Sequence, residues 1–304
     1  LGNPNSVRKK ERVYRVYNVL EFGELQKKII ELSHNNSRWT VCIDPAIDRH
    51  MMNSGNSRII GFTTGEGNYG ELNVTVSAHK NILPDIKHML NKRFTDKFKT
   101  WDSGRVAEAT NYCVDELSQY IDGSRILKAL NPADCEVHNF LAYLLTLQML
   151  KLTKADSTKI LRSLISLDSY RHWFDEDDEL NLNSMRPDFM LLEIPRTEQN
   201  LSKDQPLHID IKVIECKMGN RNDSHIAEAI RQVEKGIHTM RVNWSPDNTS
   251  IMHRYWLNQL YRAIIFTPLN LSDASPEYDI VREKIFGILN DKFTINWSGD
   301  VFAF

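Results

Sequence analysis

Apolar and polar residues alternate along the run from Ile209 to Lys217, a period that predicts a β-strand with one apolar face. Ile209, Ile211 and Val213 lie on that face, and Glu215 and Lys217 continue it, because side chains alternate between the two faces of a strand. The apolar face therefore ends in a carboxylate and an ammonium group that point the same way. Gly219 follows closely, which indicates that this charged pair lies at the end of the strand.

The same kind of pattern predicts the other elements of the chain. Helices are expected at residues 20–33, 82–96, 105–121, 133–151, 224–242, 255–261 and 276–290, the last of which should close the fold. Strands are expected at residues 39–43, 57–64, 72–78, 188–194, 208–217 and 262–267. Residues 160–167 fit either a strand or a helix. Glycine-rich residues 65–70 predict a hairpin turn between two of the strands.

The order of these elements predicts an α/β fold. From the helix at residues 133–151 onward, a helix is followed by strands, a further helix and a further strand. Residues before this region mix short strands and helices. We therefore divide the chain into an N-terminal mixed α/β accessory domain, residues 1–110, and a second domain, residues 111–304, that carries the charged strand end.

Composition narrows the class of protein. The chain has 304 residues and a formal net charge of -2, so a surface that binds nucleic acid would have to be a local cluster of Lys and Arg. The four cysteines form no CxxC pair, which argues against a zinc site and favours a reduced, cytoplasmic compartment. No run approaches the roughly 20 apolar residues of a membrane span, so no membrane partner is expected.

A second carboxylate is expected beside Glu215. Pro187 cannot donate to a strand ladder, so it marks the start of a strand that Asp188 opens. If this strand pairs antiparallel with the next one, Asp188 lies next to Glu215. Two adjacent carboxylates repel each other unless a cation lies between them, and Mg²⁺ or Mn²⁺ suits such oxygen ligands. Lys217 would orient a water or stabilise the charge that develops on a phosphate.

Two other pairs in the sequence have the same acid-x-Lys spacing. Asp85 and Lys87 lie in a predicted helix, where the two side chains diverge. Asp210 and Lys212 lie on the opposite face of the strand from Glu215. Glu193 likewise faces away from Asp188. We interpret these residues as structural.

Pro187-Asp188, followed by Glu215-Cys216-Lys217 on an apolar strand, resembles the PD-(D/E)xK nuclease superfamily. The resemblance covers residues 133–266 and implies a restriction-endonuclease-like core of helix, antiparallel strand meander, helix and strand. It also implies a Mg²⁺-dependent DNA endonuclease in which Asp188 and Glu215 bind the metal and Lys217 assists catalysis.

The resemblance extends to two further residues. Members often carry a glutamate on the first core helix that reaches the metal, and Glu136 is the candidate here, with Glu116 on the preceding helical stretch as the second choice. The alternative is that Glu136 only stabilises the helix N-terminus through the macrodipole. Many members carry a glutamine on the later helix, and Gln232 matches it, with an exposed polar residue as the alternative. Gly236 stands where those members have a tyrosine, which leaves the DNA-contacting role of Gln232 open.

A looser resemblance concerns residues 39–45, 61–77 and 140–146, which look similar to segments of DNA phosphorothioation-dependent restriction proteins. It implies a role in bacterial anti-phage defence, with DNA as the partner and an ATPase or helicase component in the same system or the same chain. The opening Leu1-Gly2-Asn3-Pro4 is unlike a natural start, so we expect a piece of a longer protein.

Two other functions fit the sequence. A nuclease fold without activity could serve as a module for DNA binding or complex assembly, although an intact set of Asp188, Glu215 and Lys217 argues against it. A regulatory nucleotide-binding domain could use the glycine-rich residues 65–70, but these lack the GK[ST] ending of a phosphate loop. The basic residues 92–99 fit either a DNA-backbone contact or a solvated helix face.

Overall fold

The computed structural model describes residues 39–43, 57–67, 70–79, 83–116, 134–152, 156–167, 186–217, 223–246, 248–265 and 276–304, with single positions between 25 and 37 and at 170, 173 and 174. The described positions between Leu25 and Asn36 are helical, within or next to the first predicted helix. Strands β1 (Trp39–Ile43), β2 (Ser57–Gly67) and β3 (Gly70–His79) form an antiparallel sheet in the order β1-β3-β2.

The predicted hairpin is confirmed, although residues 65–67 and 70 belong to its strands and not to the turn. Strand β2 pairs with β3 up to Gly67 opposite Gly70, so strands enter and leave the turn on both sides. A phosphate-binding loop leads instead from a strand into a helix.

A second, mixed sheet forms the centre of the fold. Its strands are β4 (Lys159–Ser166), β5 (Phe189–Pro195), β6 (Leu207–Lys217) and β7 (Phe293–Ala303), in that order. Strands β4, β5 and β6 run antiparallel to one another, and β7 runs parallel to β6. The α/β class is therefore confirmed, and residues 160–167 form a strand for all but their last residue.

Helices flank this sheet on both faces. Before it come α1 (Leu83–Lys97), α2 (Ser103–Asn111) with a π-helical turn at Tyr112–Glu116, and α3 (Asp134–Met149). The short α4 (Glu198–Leu201) joins β5 to β6, and α5 (Asp223–Asn243), α6 (His253–Ile265) and α7 (Pro276–Gly287) lie between β6 and β7. A 3₁₀ turn at Ile288–Asn290 follows α7.

Alternation along β6 divides the apolar residues between two clusters. Ile209, Ile211 and Val213 face α5, α6 and α7 and are fully buried there. Ile214 and Cys216 face the other way, into a cluster built largely from α1 and α3. The predicted boundary at residue 110 stays a prediction, but α1 and α2 share this second cluster with β6, so the described packing runs across it.

Two predictions about the end of the chain were wrong, although the helix predicted from Pro276 is present as α7. Residues 262–265 are helical, not a strand, because Leu257, Leu260 and Ile264 recur at spacings of three and four and bury one face of α6. The further strand is β7, so the helix that starts at Pro276 does not close the fold.

Buried Asn200 fixes the connection between β5 and β6. Its side-chain amide donates to the carbonyl oxygens of Pro195 (2.8 Å) and His208 (2.9 Å), and its oxygen accepts from the His208 backbone N–H (2.7 Å). Asn200 is 0% exposed, so all these bonds replace water that it cannot reach. The loop therefore holds the register that brings the start of β5 to the end of β6.

Helix α5 approaches the central sheet at two glycines. A Cβ on Gly236 would lie 2.6 Å from Cγ of Pro187 and 3.4 Å from Val213, and a Cβ on Gly299 of β7 would lie 2.4 Å from Val233. The helix therefore lies directly against the residue that precedes Asp188. This contact explains why a tyrosine is absent at position 236, since no side chain fits there.

We predict that Gly236→Ala destabilises the protein by about 1–3 kcal/mol, because the added methyl group forces Pro187 or the helix to move. Thermal or denaturant unfolding measures the change. Gly287→Ala is the matched control: its Cβ meets nothing closer than 3.4 Å, and it lies at the end of α7. Equal losses of stability in the two variants would contradict this account of the packing.

Candidate active site

Strands β5 and β6 separate at Asp188 and Glu215, and side chains take over the hydrogen bonds of the ladder. Phe189 pairs with Ile214, which makes Asp188 and Glu215 the next opposing pair. The Asp188 backbone N–H donates to Oε2 of Glu215 at 3.0 Å, and the Cys216 backbone N–H donates to Oδ2 of Asp188 at 2.9 Å. The expected juxtaposition of the two carboxylates is therefore present, and each one binds the other strand.

Glu215 is a buried acid. It is 3% exposed, and burial followed by the negative charge of Asp188 raises its pKa to about 7, while the hydrogen bond from Lys217 acts in the opposite direction. A carboxylate that is removed from water and lies beside another carboxylate is costly to ionise. A cation that binds both groups would remove that cost, which is the condition expected of a metal ligand.

Lys217 lies between two oxygen acceptors. Its Nζ is 2.8 Å from Oε1 of Glu215 and donates to Oε1 of Gln232 at 2.8 Å. Glu215 and Lys217 leave the same face of β6, as alternation predicted, and Gln232 reaches them from α5. The sequence singled out Gln232 only through a family resemblance that suggested DNA contact. Its observed partner is Lys217.

The reverse side of the site strand is anchored to α3. Cys216 Sγ lies 3.1 Å from Oγ1 of Thr146, and both residues are buried. Thr146 also donates to the Ala142 carbonyl at 2.7 Å, so its single hydroxyl hydrogen is used there and the thiol is the donor to Thr146. At the strand end, the Phe304 backbone N–H donates to the Lys217 carbonyl at 2.9 Å.

Glu136 lies in the first turn of α3, but its side chain is outside the described part of the structure. The residues of this helix that touch the sheet near the site come later: Tyr143 packs on Phe189, with ring centroids 5.6 Å apart, and Thr146 contacts Cys216. A rise of 1.5 Å per residue separates Glu136 from Thr146 by about 15 Å along the helix. Participation of Glu136 in a metal shell stays a prediction.

The competing acid-x-Lys pair has structural partners. Asp210 lies 3.3 Å from His208 and 3.6 Å from Lys159, and Lys212 lies 2.8 Å from Asp300. Glu193 lies 3.2 Å from Lys159. These residues form ion pairs on the polar face of the sheet, away from Asp188 and Glu215, so the choice of Glu215-x-Lys217 from alternation agrees with the geometry.

The described residues can offer a metal ion two carboxylates. Within the described ranges, no group of three or more His, Cys, Asp or Glu side chains comes together. Asp188 and Glu215 would therefore form only a partial shell, which would suit Mg²⁺ because this ion keeps several waters and takes only one or two carboxylates in phosphate-processing sites.

Comparisons with protein-family models, with curated proteins and with solved structures found no match. The functional argument therefore rests on the geometry of the site and on the sequence resemblances. None of the helices in the described parts of the chain is both long enough and apolar enough to cross a membrane.

Sequence reasoning missed the backbone groups and packing residues that hold the site. Asn200 sets the loop, Gly236 lets α5 approach Pro187, and Thr146 anchors Cys216. An asparagine in the short connection between two strands, or a glycine inside a helix, is a local signal for such roles. Neither signal identifies the partner.

We predict that the free energy of unfolding of the metal-free protein falls as pH rises from about 4.5 to about 7. The folded state holds a proton on Glu215 more tightly than the unfolded state, so unfolding costs less once that proton is lost. The expected loss is about 3 kcal/mol, and urea titrations in EDTA across this range measure it. Glu215→Gln should remove this loss, because position 215 then carries no carboxyl that can titrate.

Glu228→Gln is the matched control, since Glu228 is an exposed residue of the neighbouring helix α5. Its unfolding should retain the wild-type dependence on pH. An unchanged pH dependence in Glu215→Gln would show that Glu215 is not the titrating group.

Proposed function

We propose that this chain is a metal-dependent nuclease that hydrolyses DNA phosphodiester bonds internally. The observation that carries the proposal is the meeting of the Asp188 and Glu215 carboxylates with the Lys217 ammonium where β5 and β6 part. Two carboxylates at a strand end can hold a metal ion, and an ammonium group beside them can stabilise charge on a phosphate. Such a set of groups suits metal-assisted hydrolysis of a phosphodiester.

The order of the elements supports the proposal. Helix α3 is followed by the antiparallel strands β4, β5 and β6, then by α5 and the parallel strand β7. The PD-(D/E)xK resemblance implies the same succession of helix, meander, helix and strand. Helices α6 and α7 are additional elements between α5 and β7.

The proposed chemistry divides among three residues. Asp188 and Glu215 would hold Mg²⁺ or Mn²⁺, which when bound polarises a phosphate and lowers the pKa of an attacking water. Lys217, with its Nζ already directed by Glu215 and Gln232, would stabilise the negative charge that builds on the phosphate. Raised affinity of Glu215 for a proton means that metal must compete with protons below about pH 7.

We further propose that the protein acts in bacterial anti-phage defence, as part of a system that includes an ATPase or helicase component. This part rests on the looser resemblance of residues 39–45, 61–77 and 140–146 alone. A co-purification of the full-length system from its host would test it.

A plasmid-nicking assay in Mn²⁺ or Mg²⁺ tests the proposed activity. Wild type should convert supercoiled to open-circular DNA, and Asp188→Ala and Lys217→Ala should each lower the rate at least about 100-fold, as expected for loss of a metal ligand or a charge-stabilising group. Lys212→Ala is the matched control, because this lysine lies on the same strand but pairs with Asp300 on the other face. It should retain wild-type activity.

A readout that does not depend on activity separates the nuclease from an inactive binding module. Millimolar Mg²⁺ should raise the Tm of wild type, because a ligand that binds only the folded state stabilises it, and should leave the Tm of Asp188→Ala unchanged. Equal nicking by all variants, together with no metal-dependent shift of Tm, would rule out the assigned site.

Gln232→Ala should lower the nicking rate about 10-fold and leave the affinity for DNA unchanged. Gln232 touches Lys217 and so positions the ammonium group. Gln232→Glu retains an oxygen acceptor and should restore part of the rate. A loss of DNA affinity without a change in the rate at saturation would assign Gln232 to substrate contact instead.

A further inference from the structure

An exposed aromatic ring follows the end of helix α1. Trp101 is 39% exposed and stacks on Phe98, with ring centroids 4.3 Å apart and ring planes 13° apart. Phe98 in turn meets the buried Phe94 edge-on at 5.9 Å. Phe98, which itself packs on Phe94, therefore covers one face of the Trp101 ring. The rest of the indole is the part that is exposed to solvent.

Four cationic side chains come shortly before this ring in the sequence. Residues 92–99 carry Lys92, Arg93, Lys97 and Lys99 against the single acid Asp96, a local charge of +3 in a chain whose net charge is -2. Within the described ranges, none of these four side chains forms an ion pair or a hydrogen bond with another residue. Many Lys and Arg residues of the central sheet, in contrast, are paired with acids.

This surface shares a core with the candidate site. Phe94 belongs to the apolar cluster that contains Ile214 and Cys216, and Phe98 packs against that cluster. The reverse side of the strand that carries Glu215 and Lys217 therefore supports the helix that ends at the exposed ring. We define the basic aromatic surface as Lys92, Arg93, Lys97, Lys99 and Trp101.

We propose that the basic aromatic surface binds single-stranded nucleic acid, with phosphates at the lysine and arginine side chains and one base stacked on Trp101. The bases of a duplex are stacked on each other and cannot offer a face to the indole, whereas an unpaired base can. The inference deepens the proposed function and rests on it for DNA as the class of substrate. It identifies unpaired strands, such as those at the ends or gaps of a duplex, as the form of DNA that this surface binds.

Fluorescence anisotropy with a labelled 20-nucleotide oligothymidine, in EDTA to prevent cleavage, tests the stacking. Trp101→Ala should weaken binding about 10-fold, the scale of losing one base–aromatic stack. Trp101→Phe keeps a ring and should stay within about 3-fold of wild type. Unfolding of each variant is measured alongside, and the partly exposed position predicts little change in stability.

A charge-reversal pair tests the phosphate contacts. Lys97→Glu combined with Lys99→Glu should weaken binding and reduce the dependence of affinity on salt concentration, because fewer counterions are released. Lys203→Glu combined with Lys292→Glu is the matched control: both lysines are exposed at the far end of β6 and β7, and the net charge changes equally. The control should retain most of the affinity.

Unchanged affinity in Trp101→Ala, or equal losses in the two charge-reversal pairs, would overturn the inference. Equal binding of a 20-base-pair duplex, with the same loss in Trp101→Ala, would overturn the preference for single strands. Failure of the nuclease proposal would look different: no metal-dependent nicking by wild type, with the Trp101-dependent binding intact.

Discussion

The point where β5 and β6 part is the constraint around which the rest of the fold is arranged. Asp188 and Glu215 stand opposite each other there, and each carboxylate binds a backbone N–H of the other strand. Burying two acids together is unfavourable unless donors and a cation compensate. Lys217 supplies part of that compensation, while Asn200 and Gly236 hold the two strands and helix α5 close enough for the arrangement to persist.

Alternation along β6 gives its two faces different residues and different roles. Side chains at odd positions of β6 build the core under α5 and then end in Glu215 and Lys217. Those at even positions give a polar, ion-paired stretch through Asp210 and Lys212 and then the buried Ile214 and Cys216. A shift in register by one residue would exchange these faces and place the carboxylate of Glu215 against α3.

Local periodicity was sufficient to predict β5, β6 and their juxtaposed acids, because these features depend on neighbours in the sequence. It failed where two periods compete: the run from Arg262 has the residue types of a strand but completes the helical spacing of Leu257 and Leu260. Strand β7 alternates through Phe293 and Ile295 but was overlooked beyond the predicted last helix. The contact of Gln232 with Lys217 joins two elements and has no local signature.

The parallel pairing of β6 with β7 also has a consequence for the folding of the protein during its synthesis. Leu207 pairs with Phe293, so 293 − 207 = 86 residues must be synthesised before the partner strand exists. At about 5–20 residues per second, a nascent chain carries the edge of β6 without this neighbour for roughly 4–17 seconds. The unpaired edge of an apolar strand is a template for pairing with other chains, so β6 is open to such pairing until β7 has been synthesised.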